Sequence, residues 1–120
     1  PINSMTSANN LLAYAQRCHS EGRFLAAADF LLEAFRSHPE DPSVSRELGK
    51  VLRSVGDTEG AITYLKRSWQ HDSACADTVS ELILALHEVQ REDEAVSVML
   101  RSLEAGLDET EFANCIVDSV

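Results

Sequence analysis

The sequence predicts an all-α fold, an α-solenoid in which short helical hairpins stack on one another, and three observations carry that expectation. Gly22, Gly56 and Gln90 stand 34 residues apart, and Ala27, Ala61 and Ala95 follow them at a fixed offset. A period of this length marks a chain built from copies of one supersecondary unit, each burying its apolar face only against its neighbours. Within the copies, Leu48, Leu52 and Val55, and again Ile62, Leu65 and Trp69, recur at spacings of three and four, the pattern of one apolar helix face.

The elements follow in order. Residues 1–7 are expected to be disordered or tag-derived, since Pro1-Ile2-Asn3-Ser4 precedes Met5. The first unit, residues 8–41, folds as two helices parted at Gly22, where glycine takes the positive φ that closes a helix at least cost. Pro39-Glu40-Asp41-Pro42 breaks that hairpin and starts the next, with Asp41 as N-cap and Pro42 at the first helical position. The second unit, residues 42–75, turns at Gly56. The third, residues 76–109, is the loosest, with Gln90 at its turn. Residues 110–120 read as a capping helix whose apolar side is Phe112, Ala113, Ile116, Val117 and Val120; the alternative is that they open a further unit of a longer chain.

Aligning the copies gives columns that two packed antiparallel helices require. Leu11, Ser45 and Val79 share one, Tyr14, Leu48 and Leu82 the next, then Ala15, Gly49 and Ile83, then Cys18, Leu52 and Leu86. On the second helices Leu31, Leu65 and Met99 align, as do Ala34, Ser68 and Ser102. Small residues let helix axes approach to roughly 8–10 Å while large ones fill the space between layers. The set resembles the tetratricopeptide repeat, most closely in the first unit, where Gly22, Phe24, Ala27, Ala34 and Pro39 stand where that family has them. The second unit keeps Leu48, Gly49, Gly56 and Ala61 but carries Ser73 in place of Pro; the third departs at Ile83, Gln90 and Leu107. The resemblance implies a right-handed superhelix of three repeats plus a capping helix, forming a single domain over residues 8–120.

Composition bounds the chemistry. The 120 residues are 44% hydrophobic, as suits a globular chain, and carry 20 acidic against 10 basic side chains, a net charge of −10. That balance disfavours nucleic acid or an anionic membrane as a direct partner. No stretch approaches the ~18 apolar residues needed to span a bilayer, and residues 1–10 have neither the basic start nor the apolar run of a signal peptide. Three widely spaced cysteines argue against a disulfide framework and for a reducing, cytoplasmic setting. Cys18 lies in a packing column. His71 and Cys75, four residues apart, could share a helix face, yet two ligands fall short of a zinc site, so no metal or cofactor is expected.

Catalytic patterns are missing: the chain has no glycine-rich phosphate loop, nucleophile elbow or His-Glu-x-x-His spacing. Glu92-Asp93-Glu94 and Asp108-Glu109 stand at helix starts, where carboxylates complement the helix dipole. Phe30, Phe35, Tyr64 and Trp69 occupy second helices as packing residues, and Trp69 has the polar tip that suits a half-exposed position. The chain is therefore expected not to be an enzyme.

What the tetratricopeptide resemblance implies is a concave groove lined by first helices. The matching positions are Asn9, Leu12, Gln16, His19 and Ser20 in the first repeat. In the second they are Ser43, Arg46, Lys50, Arg53 and Ser54, and in the third Asp77, Ser80, Leu84, His87 and Glu88. Of these, Leu12, Gln16, His19, Arg46, Lys50, Arg53, Ser80, Leu84 and His87 are the expected peptide contacts. Arg46, Lys50 and Arg53 form a basic stripe at spacings of four and three. It reads either as a strip for a peptide carboxylate or as solvated cations paired with Glu47, Glu81 or Glu88. The clamp with which some tetratricopeptide co-chaperones grip a chaperone's C-terminal carboxylate is not matched, since its places hold Leu12, Gln16, Glu47, Asp77 and Glu81. The expected function is a non-catalytic adaptor or scaffold that takes a protein or peptide partner, with acidic residues where it meets the stripe. The alternatives are self-assembly as a homo-oligomer through the array ends, the C-terminal helix above all, or a substrate-recruiting segment of a larger enzyme.

Overall fold

A computed structural model describes residues 7–119, with side chains through Val117; what was expected of residues 1–6 and of Val120 lies outside the described residues. The described residues form seven α-helices and no strand: α1 (Ala8–Ser20), α2 (Phe24–Ser37), α3 (Pro42–Ser54), α4 (Thr58–His71), α5 (Ala76–Glu88), α6 (Glu92–Glu104) and α7 (Glu109–Ser119). They form three successive hairpins and a final helix in an elongated body of 45 × 26 × 22 Å. The all-α repeat solenoid expected from the 34-residue period is the fold observed.

Local chemistry explains the boundaries. Asp41 caps α3 by accepting from the Ser43 amide, with Pro42 following at the helix start. The hairpin turns share one hydrogen-bond signature: Gly22 N–H donates to the His19 carbonyl and Arg23 N–H to that of Cys18, and the same pair recurs one repeat on at Gly56 and Asp57. Both glycines are left-handed, at φ 78° and 91°. In the third hairpin Gln90 takes that conformation at φ 62°, with the same two bonds, so the geometry persists where the glycine does not. Gly106, at φ 103°, closes α6 in the same way, and Leu107 behind it is buried. The link from α6 to α7 is therefore a tight turn, whereas α2 and α4 end at His38 and Asp72, neither of them left-handed.

The core lies between the helices of each hairpin and between successive hairpins. Ala27, Ala34, Ala61 and Leu65 are 0% exposed. Gly49 shows why its column is small, because a Cβ there would stand 2.6 Å from Leu65 Cγ and 3.2 Å from the Ala61 carbonyl oxygen. Of the three hairpins, α3 and α4 make the most extensive contact and α5 and α6 the least, in the order of bulk Gly49, Ala15, Ile83. Successive hairpins are tied by Phe35 against Tyr64 at 5.4 Å, by Arg67 over the Phe35 ring, and by the Trp69 indole N–H donating to Ser102 Oγ at 2.9 Å. Trp69 is half-buried.

Two expectations need adjustment. His71 ends α4 and Cys75 caps α5, so a helix terminus separates them and they share no helix face. The last helix packs across α5 through Phe112 and Cys115, while Ala113 and Val117 of its expected apolar side remain exposed, Val117 by 74%. None of the three cysteines is joined in a disulfide. No helix among the described residues is long and apolar enough to cross a membrane.

Candidate peptide-binding groove

First helices α1, α3 and α5 lie side by side, and near their C-terminal ends they enclose an open cleft of about 250 Å³ lined by His19, Lys50, Arg53, Ser54, Glu81 and Glu88. Its first bridge is His19 Nε2 to Ser54 Oγ at 2.8 Å. Ser54 Oγ also lies 3.1 Å from the Lys50 carbonyl oxygen, which ties the bridge back to α3.

The basic stripe is present but not bare. Lys50 Nζ lies 3.1 Å from Asp77 and 3.8 Å from Glu47. Arg46 Nε meets Glu47 at 3.2 Å and Asp77 at 3.4 Å. Arg53 bridges Glu88 at 2.7 Å and Glu81 at 3.3 Å. Three cations on α3 are thus laced to three carboxylates on α5, with Glu47 filling in on α3 itself. Burial works against each charged form, but the facing carboxylates outweigh it, so all three side chains are held above their ordinary pKa range. For Lys50 the opposing contributions come from Glu47 first, then Asp77, with Glu81 last.

Among the nine expected contacts, the cleft brings His19, Lys50 and Arg53 together. Leu12 is buried, and Ser80 is 0% exposed with its hydroxyl donating to the Asp77 carbonyl, so neither lines the cleft. The reason for Ser80 is that α5 is covered by α3, α4, α6 and α7 together. His87 turns away to the start of α6, its Nδ1 2.7 Å from Glu92. Arg46 points toward the start of α5, at Asp77 and the Cys75 sulfur. Gln16 is exposed and Leu84 half-buried, both outside the cleft lining. Asp77 as a partner of the stripe is what the sequence reading missed. The signal was available in opposite charges separated by nearly one repeat, as in Arg46 with Asp77 and Arg53 with Glu88.

Other surfaces offer less. A cleft between α4 and α6 is lined by Lys66, Trp69, Glu94 and Arg101, among others, and is braced by Lys66 to Glu94 at 3.1 Å. Among the described residues no three His, Cys, Asp or Glu side chains cluster to hold a metal.

No family model and no curated protein matches the chain. Solved structures do. The first TPR of Spaghetti (RPAP3), bound to the HSP90 peptide SRMEEVD, is similar at a TM-score of 0.78 and 16% identity, over 93% of this chain and 89% of that one. The MamA protein is similar at 0.75 and 23% identity, over 83% of this chain and 55% of that one. PilF of Pseudomonas aeruginosa is similar at 0.72 and 18% identity, over 93% and 57%. The chain spans little more than half the length of the latter two. At these identities the likeness is one of fold: the helical hairpins are arranged as in a tetratricopeptide solenoid.

Proposed function

We propose that this chain is a non-catalytic protein–protein interaction module whose concave groove binds an extended peptide or a partner helix. The observation that carries the reading is the open cleft across α1, α3 and α5, where a charged ladder meets His19 and Ser54. A row of first helices supplies alternate side-chain contacts to a peptide lying across them. Because Asp77 and Glu88 keep about two-fifths of their side chains exposed, the ladder is amphoteric. A peptide carboxylate would exchange with them for Lys50 and Arg53, and a peptide cation would join them. A cytoplasmic location fits the three free thiols.

The SRMEEVD peptide seen with Spaghetti is not the expected ligand. Glu47, Asp77 and Glu81 stand where a carboxylate clamp needs neutral or basic groups, and like charges across an interface are costly. In fluorescence polarisation, SRMEEVD should give no saturable binding; a saturable isotherm would contradict the electrostatic argument. The reading as a whole is tested by affinity capture from source cells with wild type and Lys50→Glu side by side, with circular dichroism to confirm equal helicity. Partners lost only in the variant support the groove, and an identical partner set for both rejects it.

Self-assembly through the array ends is a second reading, favoured by a specific observation. Tyr14 at one end and Val96, Leu100 and Val117 at the other are each more than half exposed.

A further inference from the structure

The repeat columns identify apolar positions that are covered in one repeat and open in another. Leu48 and Leu82, on α3 and α5, are 1% and 0% exposed because each sits in a core shared with the preceding hairpin; Tyr14, in the same column on α1, is 54% exposed. On the second helices Ile62 is 3% exposed, buried in the core that α4 forms with α5. Its counterpart Val96 is 58% exposed and Leu100, one turn on, 56%, because α7 rests on α5 and leaves this side of α6 open.

The two bare faces are the two halves of one junction. At each interior junction the first helix of a hairpin packs against the second helix of the hairpin before it, α3 on α2 and α5 on α4. We infer that a second copy of this chain docks head to tail, with α1 of one protomer, through Tyr14, seated on α6 of its partner, through Val96 and Leu100. This rests on the self-assembly reading and gives it a geometry: the contact continues the packing that already joins the hairpins. It differs from the expected contact through the C-terminal helix, since α7 flanks the junction and does not form it.

Charge selects this pairing over a tail-to-tail one. Between residues 92 and 117 the chain carries seven carboxylates and one cation, whereas residues 7–37 carry three of each. Tail against tail would press two strongly acidic surfaces together, at a cost that opposes association. Head against tail instead sets the acidic surface against a face whose cations and carboxylates balance, with Arg17, one turn from Tyr14, bridging Glu21 at 3.5 Å. Such a contact is heterologous: each added copy presents a new open face, so assembly continues without closing unless the rotation forms a ring.

Sedimentation velocity across a concentration series tests this with the 120-residue chain. Wild type should show a sedimentation coefficient that rises with concentration past that of a dimer. Tyr14→Glu blocks the head and Val96→Glu the tail, so each variant alone should stay monomeric with unchanged helicity. Mixed in equal amounts, they should form a species of twice the monomer mass that grows no further, because each supplies the face the other lacks. Wild type that stays monomeric overturns the self-assembly reading along with this inference and leaves the α6 face to a different partner. Assembly that survives in Tyr14→Glu alone, or a wild type that stops at a dimer, overturns the head-to-tail contact while self-assembly stands.

Discussion

Gly49 and Gln90 show how much a single position decides in this fold. At Gly49 the neighbouring Leu65 leaves no room for a methyl group, so Gly49→Ala sets an overpacking cost of about 1–3 kcal/mol against roughly 1 kcal/mol of better helix propensity. The expected net is a loss of up to about 2 kcal/mol in urea unfolding; a more stable variant would show that Leu65 gives way freely. Gln90 presents the reverse case, a non-glycine residue at φ 62°. Left-handed backbone costs an ordinary residue about 1–2 kcal/mol, part of which glycine returns as chain entropy, so Gln90→Gly should raise stability by about 0.5–1 kcal/mol. The sequence marked both sites, one as a small-residue column and the other as a turn lacking its glycine. It could not reveal that Ser45 lies fully buried with its hydroxyl unpartnered, in a column that elsewhere holds Leu11 and Val79.

Pairs of helices are where charges acquire their roles. The periodicity of Arg46, Lys50 and Arg53 put them on one face of α3 and left two partners open, a peptide carboxylate or Glu47, Glu81 and Glu88. Glu81 and Glu88 answer from α5, about one repeat away, together with Asp77, which the sequence reading did not name. The convex side carries a parallel case. Glu94 accepts hydrogen bonds from Arg91 first and Lys66 second, which hold its carboxyl below the usual range. A carboxylate with a lowered folded pKa contributes stability above its ordinary range and loses it as the pH falls through the folded value. Urea midpoints should therefore drop on acidification through the usual glutamate range. Glu94→Gln should be less stable than wild type near neutrality and converge with it in acid; parallel pH profiles would show that the carboxylate contributes nothing. Lys50 acts with the opposite sign, its contribution held below the ordinary lysine range and lost as the pH rises through its raised value.

At the scale of the molecule, a solenoid's stability is a sum over units and the junctions between them. Here that sum is uneven, since within hairpins α3 and α4 make the most extensive contact, α5 and α6 the least, and α7 leans chiefly on α5. Hydrogen–deuterium exchange should find the slowest amides in α3 and α4 and faster ones in α6 and α7. Uniform protection would mean that the hairpins open as one block. The helical hairpins and their turn positions were legible because they follow from spacing. The course of α7 was not, because it depends on Gly106 closing α6 tightly where α2 and α4 end without a left-handed residue, a difference the 34-residue period conceals.

Three reduced sulfurs sit at three depths along this array: Cys18 inside the first hairpin, Cys75 at the threshold of the fifth helix, and Cys115 on the last. Cys18 is buried and becomes reachable by an alkylating reagent only when the first hairpin opens, whereas Cys75 and Cys115 are partly exposed in the folded array. The labelling of Cys18, set against the faster labelling of the other two, thereby clocks the opening of the first hairpin.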